Sequence, residues 1–167
     1  MILIETTSKD VFLVNPEPVQ GERGMSMGHL GTVKRFIDTL TDLSGRHYQS
    51  VRHEEVKLGR CTAGVIYDVI VDLRPTSPTY RQHFGITLSA GNRRATYIPK
   101  CCAPGFPTLE QKRESSYCMS EFHVPASVRG FRWDDPAFKI VWPAPILIMS
   151  EKDHTRPTFF KNSKLSS

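Results

Sequence analysis

The sequence predicts an all-β chain, folded as a sandwich or barrel of the jelly-roll kind. Two observations carry that prediction. The apolar runs are short, rich in Val, Ile, Phe and Tyr, and broken by Gly, Pro, Asn and Asp, which is strand chemistry punctuated by turn chemistry. Helical periodicity, in contrast, is confined to one short stretch.

Strands are expected at 11–14, 65–73, 83–89, 95–99 and 116–122. In Val65-Ile66-Tyr67-Asp68-Val69-Ile70-Val71-Asp72-Leu73 the apolar and polar residues alternate over only part of the length. One face of this strand is therefore buried while the other lines a cavity, and an inward Asp68 needs a partner. Arg74-Pro75-Thr76-Ser77-Pro78-Thr79 is a turn, because each proline fixes φ and withholds a donor from any sheet. Gly91-Asn92 is expected to join two strands as a hairpin. The one helix is expected over 32–43, where Val33, Phe36, Ile37 and Leu40 give a short amphipathic pattern. The polar tail, 161–167, is expected to fray.

A length of 167 residues suits a single domain with a real core. We read one domain over 1–167, its core at about 11–157. An apolar fraction of 39% with 23% charged residues excludes a disordered or membrane class. The net charge of +5 and pI near 9.1 suit an anionic partner. The Lys and Arg residues are scattered rather than stacked, however, which argues against nucleic acid. A small phosphorylated ligand needs only a few cations, each aimed at a phosphate oxygen.

The four cysteines, Cys61, Cys101, Cys102 and Cys118, show no C-x-x-C spacing and two are adjacent. That suits neither a zinc site nor a disulfide scaffold, so they are expected to be reduced and mostly buried. The start, Met1-Ile2-Leu3-Ile4-Glu5, has no charged region followed by a long apolar one, and no apolar stretch approaches the length of a membrane span. The expected location is the cytoplasm, with no membrane association.

Several segments then match one family in order along the chain. They are Gly45-Arg46-His47-Tyr48-Gln49, Lys57-Leu58, and Asp68-Val69-Ile70-Val71-Asp72-Leu73-Arg74. Further on come Ser77-Pro78-Thr79-Tyr80, Leu88-Ser89-Ala90-Gly91-Asn92-Arg93-Arg94, Ile98-Pro99 and Gly105-Phe106. The last are Arg129-Gly130-Phe131-Arg132-Trp133-Asp134-Asp135-Pro136-Ala137-Phe138, Trp142-Pro143 and Ser150-Glu151-Lys152-Asp153. Together, over about 22–157, the chain resembles the dTDP-4-dehydrorhamnose 3,5-epimerase family. The resemblance implies an all-β cupin jelly-roll barrel with short peripheral helices, a homodimer, no cofactor and a nucleotide-sugar substrate, dTDP-linked.

The implied chemistry has a clear physical requirement. A ketone at C4 of a 6-deoxyhexose acidifies the protons at C3 and C5, so a positioned base can take one and leave an enolate. An acid on the opposite ring face then completes the epimerisation. By resemblance the base is His47, and Asp153 orients its imidazole. The acid is Tyr117, Lys57 stabilises the enolate oxygen, and Asp68 is the acidic neighbour of that lysine. Arg23 matches an arginine that binds the nucleotide diphosphate, with Gln49 and Arg60 as further substrate contacts. No metal is expected, since His29, His53, His83, His123 and His154 form no H-x-H pair of the kind that opens a metal-binding cupin set.

Three departures qualify the match. The family's arginine three residues before the histidine is replaced by Ser44. Its A-H-G-F segment reads Ala103-Pro104-Gly105-Phe106, and proline offers neither a side-chain donor nor a backbone N–H. Its R-G-F-F-x-E element reads Arg23-Gly24-Met25-Ser26-Met27-Gly28, without the aromatics or the glutamate. A rate or substrate choice unlike that of a typical member is therefore expected. The alternative reading is a cupin that binds a sugar nucleotide or related anion without efficient turnover.

Overall fold

The structure is a computed structural model and describes residues 2–15, 19–21, 24–26, 33–38, 42–43, 46–107, 113–143, 148–149 and 154–159. The expected tail at 161–167 lies outside them. Among the described residues the strands are, in chain order, β1 Ile2–Glu5, β2 Phe12–Asn15, β3 Val19–Gly21, β4 Gly24–Ser26 and β5 Val33–Asp38. They continue with β6 Asp42–Leu43, β7 Arg46–Gln49, β8 Lys57–Ala63, β9 Val65–Asp72 and β10 His83–Ser89. The series ends with β11 Ala95–Ile98, β12 Cys102–Gly105, β13 Arg113–Met119, β14 Val128–Phe131 and β15 Ile148–Met149. One 3-10 turn, Pro125–Ser127, precedes β14.

Two sheets enclose the interior. The larger has six strands in the order β1-β2-β11-β8-β13-β5, and the smaller has the order β10-β9-β12. A two-stranded ribbon of β7 and β14 runs beside them, with β7 in contact with β12. Val11, Leu13, Cys61, Ile98 and Tyr117, on or beside the large sheet, meet Ile66, Ile70, Leu88, Cys102 and Phe106, on or beside the small one, in a shared core. The all-β reading is borne out, and each of the five expected strands lies on an observed one.

β9 is buried on both faces. Ile66 and Ile70 face the inter-sheet core, while Val71 joins Leu73, Ala103, Phe131 and Phe138 in a second cluster behind the small sheet. Aromatic packing caps that cluster: Phe138 lies 4.3 Å from Phe131 and 5.2 Å from Phe159, centroid to centroid. Buried Asp135 holds the cap, accepting from Ala137 N at 3.0 Å and Phe159 N at 2.6 Å. The Arg129-to-Phe138 motif thus backs the strand that carries Asp68.

The predicted helix over 32–43 is not formed. Its described part is β5, antiparallel to β13, and the short β6. Val33, Phe36 and Ile37 are β-branched or aromatic, and the free edge of β13 offers each backbone group a partner, so ladder pairing outweighs a marginal helical period. The Gly91-Asn92 turn does form, but not as a hairpin. β10 pairs with β9, whereas β11 pairs with β2 and β8 in the other sheet. Arg93 in the left-handed region (φ 55°) lengthens the turn, and the Asn92 side chain caps it by accepting from Ser89 N and Arg94 N. The chain thereby crosses between sheets instead of folding back.

Asp72, fully buried at the end of β9, organises the following turn. It accepts from the Arg74 guanidinium at 2.8 and 2.9 Å, Arg74 N at 3.0 Å, Ser77 Oγ at 2.6 Å and Thr79 Oγ1 at 2.7 Å. Burial alone raises a carboxyl's pKa, but these bonds outweigh it and hold Asp72 well below the usual range. All four cysteines are free, Cys61 and Cys102 buried and Cys101 and Cys118 half-buried. Among the described residues no helix is long and apolar enough to cross a membrane. Replacing Asp72 with Asn removes the charge that its donors share while leaving their burial intact, so urea unfolding should show a loss of about 3 kcal/mol. A loss below about 1 kcal/mol would refute the organising role of Asp72.

Candidate active site

Alternation along β8 decides which side chains meet. Lys57, Gly59 and Cys61 are buried while Leu58, Arg60 and Thr62 are half-buried, so the first set faces the interior. Register extends that inner surface sideways. Thr96 and Tyr117 both stand opposite Gly59, and Ile98 and Met119 opposite Lys57. Directly paired residues share a face, so Lys57, Thr96 and Tyr117 lie on one surface of the large sheet.

Asp68 reaches that surface from the small sheet. It is fully buried, and its Oδ2 accepts from Thr96 Oγ1 at 2.7 Å, a buried bond that ties the two sheets together. Its Oδ1 is buried with no hydrogen-bond partner among the described residues. Burial pushes the carboxyl up to about 6, against the lowering effects of the Thr96 bond and the nearby Lys57 charge. Tyr117 is pushed well above its ordinary value by burial first, then by the Asp68 and Cys61 charges. Its phenol therefore keeps its proton at neutral pH.

Close packing fixes the tyrosine ring. A Cβ on Gly59 would lie 2.5 Å from Tyr117 Cε1, so only glycine lets the ring lie against β8. Phe106 stacks near it, 6.1 Å between centroids and 14° between planes. Pro104 stands opposite Ile70 in the β12–β9 register and is buried, which puts it on the interior face. Edge strand β12 tolerates a residue without an N–H. At this position the interior therefore carries an apolar ring.

His47 enters on β7, opposite Gly130. Its backbone carbonyl accepts from Lys57 Nζ at 3.0 Å. Tyr48 packs against the second cluster, so His47 and Gln49 occupy the other face of β7. Lys57, 3% exposed, is also paired with Glu55 Oε1 at 3.0 Å. The motifs flag neither Glu55 nor Thr96, although an acidic residue two positions before an inward lysine is a usable signal.

Two sequence-derived contacts stand elsewhere. Gln49 spends its amide on the protein: Nε2 donates to His53 O at 3.0 Å, Phe122 O at 3.0 Å and Glu55 Oε2 at 3.2 Å, and Oε1 accepts from Val124 N at 2.6 Å. It is a brace between loops rather than a group presented to a ligand. Arg60 lies on the face of β8 away from Lys57 and Gly59, because neighbouring strand residues point to opposite sides. Arg23, Asp153 and Ser44 lie outside the described residues.

A two-sheet jelly-roll barrel with an ammonium, a carboxyl and a phenol in its interior, and a histidine on the adjoining ribbon, defines a cupin-type small-molecule enzyme scaffold. The comparisons with known proteins agree. The family described as dTDP-4-dehydrorhamnose 3,5-epimerase matches residues 35–161. The dTDP-4-dehydrorhamnose 3,5-epimerase of Shigella flexneri is 33% identical over 92% of this chain and 93% of its own length. The crystal structure of the dTDP-4-dehydrorhamnose 3,5-epimerase from Elizabethkingia anophelis NUHP1 superposes with a TM-score of 0.90 at 30% identity, covering 96% of this chain and 97% of that one. The dTDP-6-deoxy-D-glucose-3,5-epimerase of Legionella pneumophila Philadelphia 1, solved with dTDP-4-keto-L-rhamnose, gives 0.86 at 28% identity over 94% and 92%. This chain belongs to the dTDP-4-dehydrorhamnose 3,5-epimerase family.

The buried Asp68 makes a measurable prediction. Its folded-state value, about 6, lies above the 3.8 of a free aspartate, so ionisation penalises the fold. The penalty is absent below about pH 4, grows between about pH 4 and 6, and is complete above that. Asp68→Asn should therefore be more stable than the unaltered protein at pH 8, by on the order of 2–3 kcal/mol. In urea unfolding the advantage should vanish at pH 4, and a difference independent of pH would refute the buried charge.

Proposed function

We propose that the chain epimerises a nucleotide-linked 4-keto-6-deoxyhexose, with dTDP as the nucleotide. His47 takes a proton from the carbon beside the C4 ketone, and the electron pair moves into an enolate. The Lys57 ammonium stabilises the enolate oxygen electrostatically. Tyr117 gives its proton to the same carbon from the opposite ring face, and imidazolium and phenolate then re-equilibrate with solvent. Asp153 orients the His47 imidazole and Arg23 holds the diphosphate.

The observation that carries this reading is the convergence of Lys57, Asp68 and Tyr117 on one interior surface, with the strand of His47 bonded to Lys57 itself. A tyrosine held protonated supports its assignment as the acid. The partnerless Asp68 Oδ1 supports a ligand hydroxyl in the interior, since a buried acceptor left alone is costly. The Legionella relative, 28% identical and solved with dTDP-4-keto-L-rhamnose, supports the substrate class. The active form on this reading is a cytoplasmic homodimer of single-domain chains.

Incubation with dTDP-4-keto-6-deoxyglucose in deuterated water, followed by NMR, should show deuterium entering at C3, C5 or both. Exchange at C3 alone would define a mono-epimerase, and none above background would refute the reaction for this substrate. His47→Asn should lower exchange by about 10³-fold while the circular dichroism spectrum stays unchanged. Retained exchange would show that another group is the base.

A further inference from the structure

Glu55 is absent from every matched motif, yet it lies at the centre of the buried polar network. It is 8% exposed, and both of its oxygens are engaged: Oε1 with the Lys57 ammonium at 3.0 Å, Oε2 with the Gln49 amide at 3.2 Å. Gln49 in turn grips Phe122 O and Val124 N, in the segment that follows β13 a few residues after Tyr117. Lys57 is bonded at its other side to the backbone of His47. One carboxylate thus joins the supports of the base, the ammonium and the acid.

A buried ion pair seldom adds net stability, because desolvation cancels much of the attraction. Its effect on the proton affinity of the cation is not cancelled, since a carboxylate at contact distance favours the charged form of an amine. Among the described residues, the groups that face Lys57 include Glu55 ahead of its own strand, Asp68 on β9, the His47 carbonyl on β7 and, one register row away, Tyr117 on β13. Asp68 is itself shared with Thr96 across the sheets. Among the described residues Glu55 has no cation partner other than Lys57.

We infer that Glu55 is a positioning residue for the reaction: it holds Lys57 charged and aimed, and through Gln49 it locks the loop behind Tyr117. The inference rests on the epimerase reading for its catalytic meaning, but not for its electrostatic test. In protein carrying isotope-labelled lysine, with the Lys57 signal assigned by its loss in Lys57→Met, the ammonium can be titrated by NMR without substrate. Glu55→Gln should lower the Lys57 midpoint by about one unit or more, while Glu55→Asp, which keeps the charge, should stay within about half a unit of the unaltered protein.

In the deuterium exchange assay Glu55→Gln should lower kcat about tenfold with KM little changed, and Glu55→Asp should recover most of the loss. An unmoved Lys57 midpoint in Glu55→Gln, or an equal fall in Glu55→Asp, would overturn the role of Glu55. Absence of exchange in the unaltered protein, with the midpoint shift present, would count against the proposed reaction alone.

Discussion

The Lys57 ammonium is the point at which the separate parts of this barrel are held to one another. A charge that is 3% exposed needs acceptors on every accessible side, and this one draws on the backbone of β7 and the carboxylate of Glu55. The β7–β14 ribbon is otherwise held by its packing on β12 and by the bonds of Gln49 to the neighbouring loops. The requirement to satisfy one buried cation therefore brings the strand of His47 to the mouth of the large sheet.

The second constraint is the Asp68–Thr96 bond between the sheets. A carboxyl in an interior otherwise lined by Ile66, Ile70, Leu88 and Ile98 is costly, and the raised pKa records that cost. The same isolation gives the site its chemistry. Tyr117, caught between Gly59 and Phe106, keeps its proton because burial, and then the Asp68 and Cys61 charges, disfavour the phenolate. Stability and reactivity draw on the same desolvation, with opposite signs.

Pro104 alters that interior in a definable way. Its register with Ile70 directs it inward, so the position that could have carried an imidazole presents hydrocarbon. The polar groups left to meet a ligand come from the large sheet, from β7 and from Asp68, whereas the β12 side is apolar.

Strands whose pattern is local were legible in the residues. β10 at His83–Ser89 coincides with the predicted span, and β9 and β11 differ from theirs only at the ends. β8 was not legible, because Lys57, Gly59 and Arg60 interrupt any apolar period, and only burial in the finished barrel explains why a lysine and a glycine face inward. The stretch at 32–43 misleads for a related reason: its period fits a helix, but the open edge of β13 supplies a ladder that no local signal announces.

The sequence by itself determined the all-β class and the family, and it singled out His47, Lys57, Asp68 and Tyr117 as candidates, since residue types in a fixed order survive without knowledge of any contact. Only the tertiary structure decided that Gln49 is a brace, that Arg60 faces away, and that Glu55 and Thr96 complete the cluster. These are facts of face and register. A shift of one residue along a strand reverses the side to which a residue points, and the pairing that sets it joins residues far apart in the chain, such as Thr96 with Gly59 and Gly59 with Tyr117.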